Sequence, residues 1–233
     1  MGAKPTLKLD WCSYEAAKYA VEHWHYSKCM PKSKLAKLGV WENDKFVGVV
    51  IFGVGATADL VKQYGLKSTE GCELVRVALK SHDTPVSRIV SIALKMLKRE
   101  MSGIRLVVSF ADPEQGHVGG IYQAGGWSFM GRSQASEEYI VNGKRWHGRA
   151  LRHEKPSYLT TKQAAAKMDP NFKVVMGSTK YRYLMPLDDE MRKRIEPLRK
   201  PYPKKCAASV AGDATVPTVE GGSTPTAALE PIK

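Results

Sequence analysis

The sequence lacks the cysteine pairs, long apolar runs and leader pattern that define several protein classes. Its four cysteines lie far apart and form no C-x-x-C motif. This spacing argues against a zinc ribbon and against a disulfide framework, so we expect reduced thiols. No apolar run reaches the roughly 18 residues that a membrane-spanning helix requires. Because the N-terminus also lacks a signal-peptide pattern, we predict a cytoplasmic protein with no membrane partner.

Acidic residues are scarce relative to basic ones. The chain has 36 Lys and Arg against 23 Asp and Glu, which gives a formal net charge of +13. A surplus of this size favours polyanionic partners, with nucleic acid first among them. In segment 155–205, the basic side chains could neutralise phosphates while Tyr181, Tyr183 and Tyr202 stack on bases. A solvated basic wrap around the domain is the alternative.

Composition divides the 233 residues into three regions. Residues 1–154 have enough apolar content for a core and form the main domain. We expect residues 155–205 to be a basic C-terminal extension packed on or beside that domain. Residues 206–233 contain almost no large apolar side chain. Such a segment cannot offset its ordering entropy, so we predict a disordered tail.

The apolar pattern predicts alternating helices and strands after a short lead-in of residues 1–10. The predicted elements are, in order, a helix capped by Ser13 and ending near His23, a hairpin of 35–41 and 46–52, a strand 73–79, a helix 85–101 with Thr84 as N-cap, a buried strand 106–111, a short helix 114–124, a strand 127–132 and a second hairpin within 137–150. This order predicts an α/β fold with a mixed sheet and helices on both faces.

Residues 104–127, IRLVVSFADPEQGHVGGIYQAGGW, place Tyr122 four residues before a Gly-aromatic pair. With the flanking strands and helices, this segment resembles the acyltransferase fold of the GCN5-related N-acetyltransferase family. The resemblance implies that strand 73–79 splays from its neighbour and opens a slot for an acyl-coenzyme A. It also implies that Tyr122 protonates the departing thiolate, so the region 1–154 is an acyltransferase-like catalytic domain.

The same resemblance implies a cofactor site at the start of helix 85–101. Thr84, Ser87 and Arg88 would hold the pyrophosphate there, because free amides and the helix dipole favour anions. The glycines that the family carries in this loop are absent from residues 80–85. The identity of the donor stays open, with a coenzyme A thioester as one candidate.

Longer blocks of the chain resemble the bacteriophage Mom DNA-modification family. The blocks, spread over residues 9–204, are DWCSYEAAKYAVEHWHYSKCMP, LGVWENDKFVGVVIFG, CELVRVAL, VSFADPEQGHVGGIYQAGGW and YRYLMPLDDEMRKRIEPLRKPYPK. The resemblance implies an enzyme that modifies adenine at N6 in double-stranded DNA. The product would be a carbamoylmethyl, glycinamide-like adduct that shields phage DNA from host restriction. An N6 amine inside a duplex is unreachable, so the base has to be flipped into a pocket.

Arg76, Asp112 and Tyr122 are the predicted catalytic residues. The N6 amine is a poor nucleophile and needs a base, and Asp112 lies at the carboxyl end of the buried strand, where α/β sheets bind ligands. Capping the next helix is its alternative role. We predict Tyr122 to be a general acid or an orienting hydroxyl, against a half-buried structural tyrosine. Arg76 interrupts an apolar strand, and we expect Leu74 and Ala78 to share its face. An inward guanidinium then needs Asp112 or a ligand anion, and a solvated strand face is the alternative.

Four further residues are predicted to shape the substrate pocket: His25, Tyr26, Ser109 and His117. The segment 23–27 is the densest group of ligand-type side chains in the chain. If it is extended, His23 and His25 share a face, and iron, ahead of zinc, becomes one candidate cofactor. If it is helical, the two side chains diverge. We assign no metal ligands.

Two other functions fit the sequence. One is an acetyl-coenzyme A-dependent N-acetyltransferase that acts on a protein or a small amine. The other is a DNA-binding protein that occludes restriction sites without any chemistry. Simple acyl transfer makes an amide, whereas the implied adduct is linked through a methylene carbon, so the ordinary mechanism of the fold does not deliver it directly. The oligomeric state stays open.

Overall fold

The computed structural model describes residues 5–54, 59–148, 151 and 158–204, whose strands form two sheets. The strands are β1 (Leu7–Trp11), β2 (Leu35–Glu42), β3 (Lys45–Gly53), β4 (Gly71–Leu79), β5 (Leu106–Ala111), β6 (Ser128–Arg132), β7 (Glu137–Val141), β8 (Lys144–His147), β9 (Lys173–Met176) and β10 (Tyr181–Pro186). The larger sheet has the order β1-β2-β3-β4-β5-β10-β6, and the smaller has the order β8-β7-β9. In the larger sheet β4 and β5 are parallel and the other described pairs are antiparallel. The predicted mixed sheet is confirmed.

Helices cover both faces of the larger sheet. The described α-helices are α1 (Tyr14–Trp24), α2 (Val86–Glu100), α3 (Gly120–Ala124), α4 (Thr161–Met168) and α5 (Asp189–Ile195). On β3, Phe52 packs in the cluster with α2, whereas its neighbour Ile51 packs against α1. On β5, Val107 faces α2 and Val108 packs with α5. Because neighbouring strand residues point to opposite faces, α1 and α5 share one face and α2 has the other, as predicted.

None of the described helices is long and apolar enough to cross a membrane.

Local signals place the first helix and the hairpins as predicted. Ser13 Oγ accepts a hydrogen bond from the backbone N–H of Ala16 at 3.1 Å, which caps α1. Asn43 and Asp44 adopt left-handed backbone, with φ of 50° and 61°, in the turn between β2 and β3. Asn142, with φ of 50°, does the same between β7 and β8.

A slot opens between β4 and β5. The two strands pair only where residues 71–73 meet residues 106–108. On its other side, the pairing of β4 with β3 slips between Ile51 and Phe52, which leaves Val75 as an extra residue in β4. A bulge of this kind bends its strand. The strand splay that the sequence resemblance implies is therefore present.

Three strands, β1, β9 and β10, were not predicted, and β9 pairs with β7 in the smaller sheet. β1 forms within the residues expected to be a lead-in, and it pairs with β2. β10 comes from the basic segment 155–205 and lies between β5 and β6. The basic segment is therefore not only an extension beside the domain, because it supplies an inner strand of the larger sheet. The predicted disorder of residues 206–233 lies outside the described residues.

The single helix predicted over residues 114–124 is wrong. A 3-10 turn, Pro113–Gln115, is followed by Gly116 and Gly119, whose φ values of 67° and 82° are left-handed. Left-handed residues interrupt the helical series of hydrogen bonds, so α3 begins only at Gly120. The interruption makes a loop of residues 116–119 in front of α3.

The prediction that Thr84 caps the N-terminus of α2 is also wrong. Pro85 is the N-cap residue, and no side chain caps the helix. The hydroxyl of Thr84 donates instead to the carboxylate of Glu42, at 2.5 Å. Thr84 is buried, and its hydroxyl bonds to the carboxylate of Glu42 and not to a backbone N–H of α2.

Candidate active site at the slot between two parallel strands

Ser109 bridges the slot at the point where β4 and β5 separate. Its Oγ lies 2.9 Å from the carbonyl oxygen of Leu74 and 2.7 Å from the phenol oxygen of Tyr122. A carbonyl can only accept, and serine carries one hydroxyl proton, so Ser109 donates to Leu74 and the phenol of Tyr122 donates to Ser109. The buried side chain thus replaces the next rung of the strand ladder and holds Tyr122 at the slot.

Tyr122 is a buried, neutral phenol. Its ring lies 5.1 Å from that of Trp127 and 5.0 Å from that of Tyr183, between centroids. Burial raises the pKa of Tyr122 to about 12, the hydrogen bond with Ser109 opposes this, and the charge of Glu73 adds to it. Since the phenol stays protonated near pH 7, it can orient a ligand or relay a proton, but it is not a base.

The loop of residues 116–119 is held in place by β10. The hydroxyl of Tyr183 donates to the carbonyl of Val118 at 2.6 Å, and the Gln123 amide donates to the same carbonyl at 3.0 Å. A Cβ on Gly119 would overlap the ring of Tyr183, so only glycine fits at this left-handed position. The contact fixes the loop that carries His117.

His25 and Tyr26 follow the end of α1 and meet that loop. His25 is the C-cap residue of α1, and its backbone N–H donates to the carbonyl of Val21. The Tyr26 ring lies 4.3 Å from the His25 ring and 5.5 Å from the His117 ring, between centroids. Tyr26 is 51% exposed whereas His25 is buried. The half-exposed ring of Tyr26 therefore offers apolar surface to a ligand next to a buried imidazole.

The His25 imidazole is neutral. Burial, and then the positive charges of Arg76, His117 and Lys28, lower the pKa of His25 to about 4. These charges also show that the residues predicted from separate parts of the chain lie near one another. Tyr26 is in turn close enough to Tyr122 to add to its raised pKa.

Arg76 points to the face of the sheet that α1 covers. The bulge at Val75 pairs Arg76 with Ile51, which faces α1, whereas Leu74 faces α2. The prediction that Leu74 shares the face of Arg76 is wrong for that reason. The guanidinium donates to the carbonyl of Cys29 at 3.2 and 3.3 Å and to that of Val75 at 2.7 Å. Arg76 thus ties the strand to the loop that follows His25 and Tyr26.

Asp112 is engaged in a turn and an ion pair. One carboxylate oxygen accepts from the backbone N–H of Glu114 at 3.0 Å, which caps the 3-10 turn, and the other lies 3.2 Å from the ammonium of Lys180. The alternative capping role is therefore present. Neither contact involves Tyr122 or Arg76, so the role of Asp112 as base stays a prediction.

The structure brings together most of the predicted set and adds residues that were not predicted. The group around the slot comprises His25, Tyr26, Arg76, Ser109, His117 and Tyr122. Glu73, whose charge reaches Tyr122, was read only as the start of a strand. The charge of segment 155–205 predicts a basic surface at Tyr183, although the Tyr-Arg-Tyr alternation of residues 181–183 is a strand signal.

The predicted coenzyme A site at the start of α2 is filled by a carboxylate. Glu42 is buried and accepts hydrogen bonds from the backbone N–H groups of Asp83, at 2.7 Å, and Thr84, at 2.8 Å. These two amides, which precede the helix, are thus already paired, whereas Glu42 accepts no hydrogen bond from the first turn of α2 itself. Ser87 lines a groove of about 260 Å³ on α2, away from this carboxylate, and Arg88 is exposed. Of the three residues predicted to hold the pyrophosphate, Thr84 is thus engaged by Glu42, and the phosphate role of Ser87 and Arg88 stays a prediction.

The segment 23–27 does not form the histidine pair that a metal site would use. α1 continues to Trp24, so His23 lies on the helix with its ring stacked on Tyr19, while His25 is buried beyond the end. Among the described residues, no three His, Cys, Asp or Glu side chains lie close enough together to hold a metal ion. The iron prediction finds no such ligand set in this part of the chain.

The expected stacking of tyrosines on bases is wrong for Tyr183. This side chain is fully buried, and its hydroxyl is bonded to the loop before α3. Tyr202 is partly buried and donates to the carbonyl of Trp127 at 2.7 Å. Tyr181 packs at the edge of the same core, with Arg132 over its ring. A strand that is covered on both faces buries its aromatic residues, whatever the charge of the residues around it.

Comparison with known proteins gives a family, a relative and a structural neighbour. The Mom protein family matches residues 6–204. The methylcarbamoylase Mom of Escherichia phage Mu is 28% identical over 211 residues, covering 85% of this chain and 84% of the relative. A crystal structure of a protein provisionally described as an acetyltransferase, from Sphaerobacter thermophilus, aligns with a TM-score of 0.39 and 11% identity. It covers 81% of this chain and 96% of that one. A structural likeness of this degree assigns no function.

Proposed function

This chain belongs to the Mom protein family, and on that premise we propose that it is a DNA-modifying transferase of phage origin. In the proposed reaction, adenine in double-stranded DNA becomes N6-carbamoylmethyladenine in the host cell cytoplasm. The adduct protects the DNA from host restriction enzymes. The relative from phage Mu is named for transfer of a methylcarbamoyl group. The net charge of +13 suits a DNA substrate.

The observation that carries the proposal is the buried hydroxyl pair at the slot, with a half-exposed aromatic ring nearby. Ser109 of β5 and Tyr122 of α3 are buried where β4 and β5 separate, and half-exposed Tyr26 lies close enough to Tyr122 to affect its pKa. A buried phenol is accessible only to a group that enters the slot. A base flipped out of the duplex can enter in this way and stack on an aromatic side chain.

The chain's residues divide the proposed reaction between orientation and proton removal. The phenol of Tyr122 donates to Ser109, so its lone pair is free to accept a hydrogen bond from the N6 amine of adenine. The N6 lone pair then forms the C–N bond to the methylene carbon of a carbamoylmethyl donor, whose leaving group departs with the bonding electrons. The N6 proton goes to a carboxylate.

Two carboxylates are candidates for that proton. Glu73 lies close enough to Tyr122 for its charge to raise the phenol's pKa. Asp112 lies just beyond the end of β5, held by Lys180. Tyr122 keeps its proton near pH 7, because its pKa is about 12, and neutral His25 is a weak base, because its pKa is about 4. Glu73→Gln and Asp112→Asn variants assign the role, because the variant that lacks the base should be much slower in the chemical step than the other.

Acetyl transfer from coenzyme A is disfavoured by the carboxylate of Glu42. It already accepts the amides of Asp83 and Thr84 at the start of α2. A phosphate placed there would meet a negative charge where it needs donors. A coenzyme A donor therefore needs pyrophosphate donors other than these two amides.

The proposed function is tested by mass analysis of nucleosides. DNA from cells that express the protein is digested, and N6-carbamoylmethyladenine is expected beside adenine. Tyr122→Phe and Ser109→Ala variants are expected to lose the adduct while DNA binding stays. Tyr14→Phe, on the half-exposed surface of α1, is the control and should keep full modification.

Two results contradict the proposal. Unmodified adenine throughout, with a folded wild-type protein in a host that carries the phage, excludes the reaction. Protection from restriction that survives in the Tyr122→Phe variant would point to a protein that only occludes DNA. Loss of DNA binding at raised salt is expected for either DNA-binding function, and its absence favours a protein or small-amine acceptor.

A further inference from the structure

One ring nitrogen of His25 is held by the backbone. Nδ1 lies 3.1 Å from the backbone nitrogen of Ser27 and 2.8 Å from its hydroxyl oxygen. A backbone N–H can only donate, so Nδ1 accepts and carries no proton. The single proton of the neutral imidazole is therefore on Nε2.

The other ring nitrogen faces outward. Among the described residues, Nε of Arg182 is the sole fully buried side-chain polar atom without a hydrogen-bond partner. Nε2 of His25 has no partner within that part of the chain either, so it keeps contact with solvent although the residue is buried. An N–H donor beside the ring of Tyr26 is thus accessible to a ligand.

The surroundings of this donor suit an electron-rich ligand. The charged groups that act on His25 are Arg76, His117 and Lys28, which come from β4, the loop before α3 and the segment after α1. The ring of Tyr26 lies 4.3 Å from the imidazole and is half-exposed. A cation would be repelled here, whereas a flat heterocycle with a lone pair gains both a stacking surface and a hydrogen bond.

We propose that Nε2–H of His25 donates a hydrogen bond to a ring nitrogen of the target base while that base rests on Tyr26. The proposal depends on the proposed function, because it takes the flipped adenine as the ligand. Adenine carries two ring acceptors that flank its N6 amine, N1 and N7. A donor to either one fixes the rotation of the ring in its plane and so aims N6 at Tyr122. His25 is therefore a positioning residue, which orients adenine and favours it over bases without this acceptor.

The test uses duplexes that differ by one atom at the target base. Duplexes with adenine, 1-deazaadenine or 7-deazaadenine are incubated with the full chain in a host-cell extract, which supplies the donor, and the modified nucleoside is measured over time. Wild-type protein is expected to act roughly tenfold more slowly on one of the two analogues, the effect of one lost hydrogen bond. Which analogue is slow identifies the acceptor atom.

Variants separate this role from a structural one. His25→Leu should slow the reaction on adenine about tenfold and remove the preference between adenine and the slow analogue, since the bond is gone in both cases. His25→Gln, whose amide keeps a donor, should recover part of both. His23→Gln is the matched control, because His23 lies on the exposed part of α1 and stacks on Tyr19. It should behave as wild type.

Three outcomes overturn the inference. Equal rates of wild-type protein on all three bases exclude a bond to N1 or N7. A His25→Leu variant that keeps the full preference excludes His25 as the donor. Long-range proton–nitrogen NMR that finds the imidazole proton on Nδ1 excludes the tautomer. If wild-type protein modifies no adenine at all, the proposed function itself fails and this role fails with it.

Discussion

Replacing Glu42 by glutamine is expected to destabilise the protein because three donors converge on its carboxylate. The backbone N–H groups of Asp83 and Thr84 and the hydroxyl of Thr84 all donate to it, at 2.7, 2.8 and 2.5 Å. Each hydrogen bond to a charged group contributes about 1.5 to 3 kcal/mol. In Glu42→Gln one oxygen still accepts, but the amide NH₂ group faces a donor. We therefore expect a loss of about 2 to 4 kcal/mol in the free energy of unfolding.

The assay is urea unfolding at two pH values. The hydroxyl bond from Thr84, and then the amide bond from Asp83, lower the pKa of Glu42 from 4.5. A carboxylate with a lowered pKa in the folded state stabilises above its unfolded pKa and loses that effect as the pH falls through the folded one. The difference between wild type and Glu42→Gln should therefore be full at pH 7 and shrink below about pH 4.5.

Glu22→Gln is the matched control for this substitution. Glu22 lies on the surface of α1, 3.8 Å from the ammonium of Lys18, and a surface pair of this kind contributes about 0.5 kcal/mol or less. A Glu42→Gln variant as stable as the control would refute the reasoning. Glu42→Ala adds a second readout: inorganic phosphate should raise its melting temperature and leave that of the wild-type protein unchanged, because only the variant exposes the amides.

Three further predictions concern the site. Gly119→Ala should lower the free energy of unfolding in urea by about 2 to 4 kcal/mol, because the new Cβ overlaps the buried ring of Tyr183. Gly116→Ala, at a left-handed position in open space, should lower it by about 1 kcal/mol, and equal losses would contradict the overlap. Ser109→Ala should lower the modification rate at least about tenfold while Tyr122 keeps its near-ultraviolet dichroism, and an unchanged rate would remove the hydroxyl pair from the mechanism. The pKa of His25 is lowered from 6.5 to about 4, so the unfolded chain binds the extra proton and stability should fall by about 2 kcal/mol from pH 7 to pH 5; His25→Gln should lack this part of the slope, and an identical slope in both would contradict a buried neutral imidazole.

Much of the fold could be predicted because its signals are local. Ser13 caps α1 through a backbone group three residues away, and Asn43 and Asp44 form the hairpin turn between adjacent strands. The buried strand β5 is visible as an unbroken apolar run. β10 could not be predicted because YRYLMP lies in a basic segment, whose charge indicates a solvated surface. The strand forms because it pairs with β5 and β6, which are distant in sequence.

The candidate site could be predicted as a set of residue types but not as a geometry. The bulge at Val75 depends on how β4 pairs with β3, so the face of Arg76 could not be predicted from the strand's own alternation. Glu42 meets the start of α2 from the end of the first hairpin, a contact between distant segments that no local pattern indicates. The tie between Ser109 and Tyr122 likewise requires the turn and loop that separate them.

The inner position of β10 makes the order of synthesis matter. β5 and β6 leave the ribosome well before Tyr183, yet each hydrogen-bonds to the strand that contains it. Until β10 has been synthesised, β5 and β6 each have an unpaired edge, and the loop of residues 116–119 lacks its contact with the ring of Tyr183. A nascent chain is therefore expected to aggregate readily and to be inactive until β10 has been translated, and truncation before the end of β10 should abolish folding.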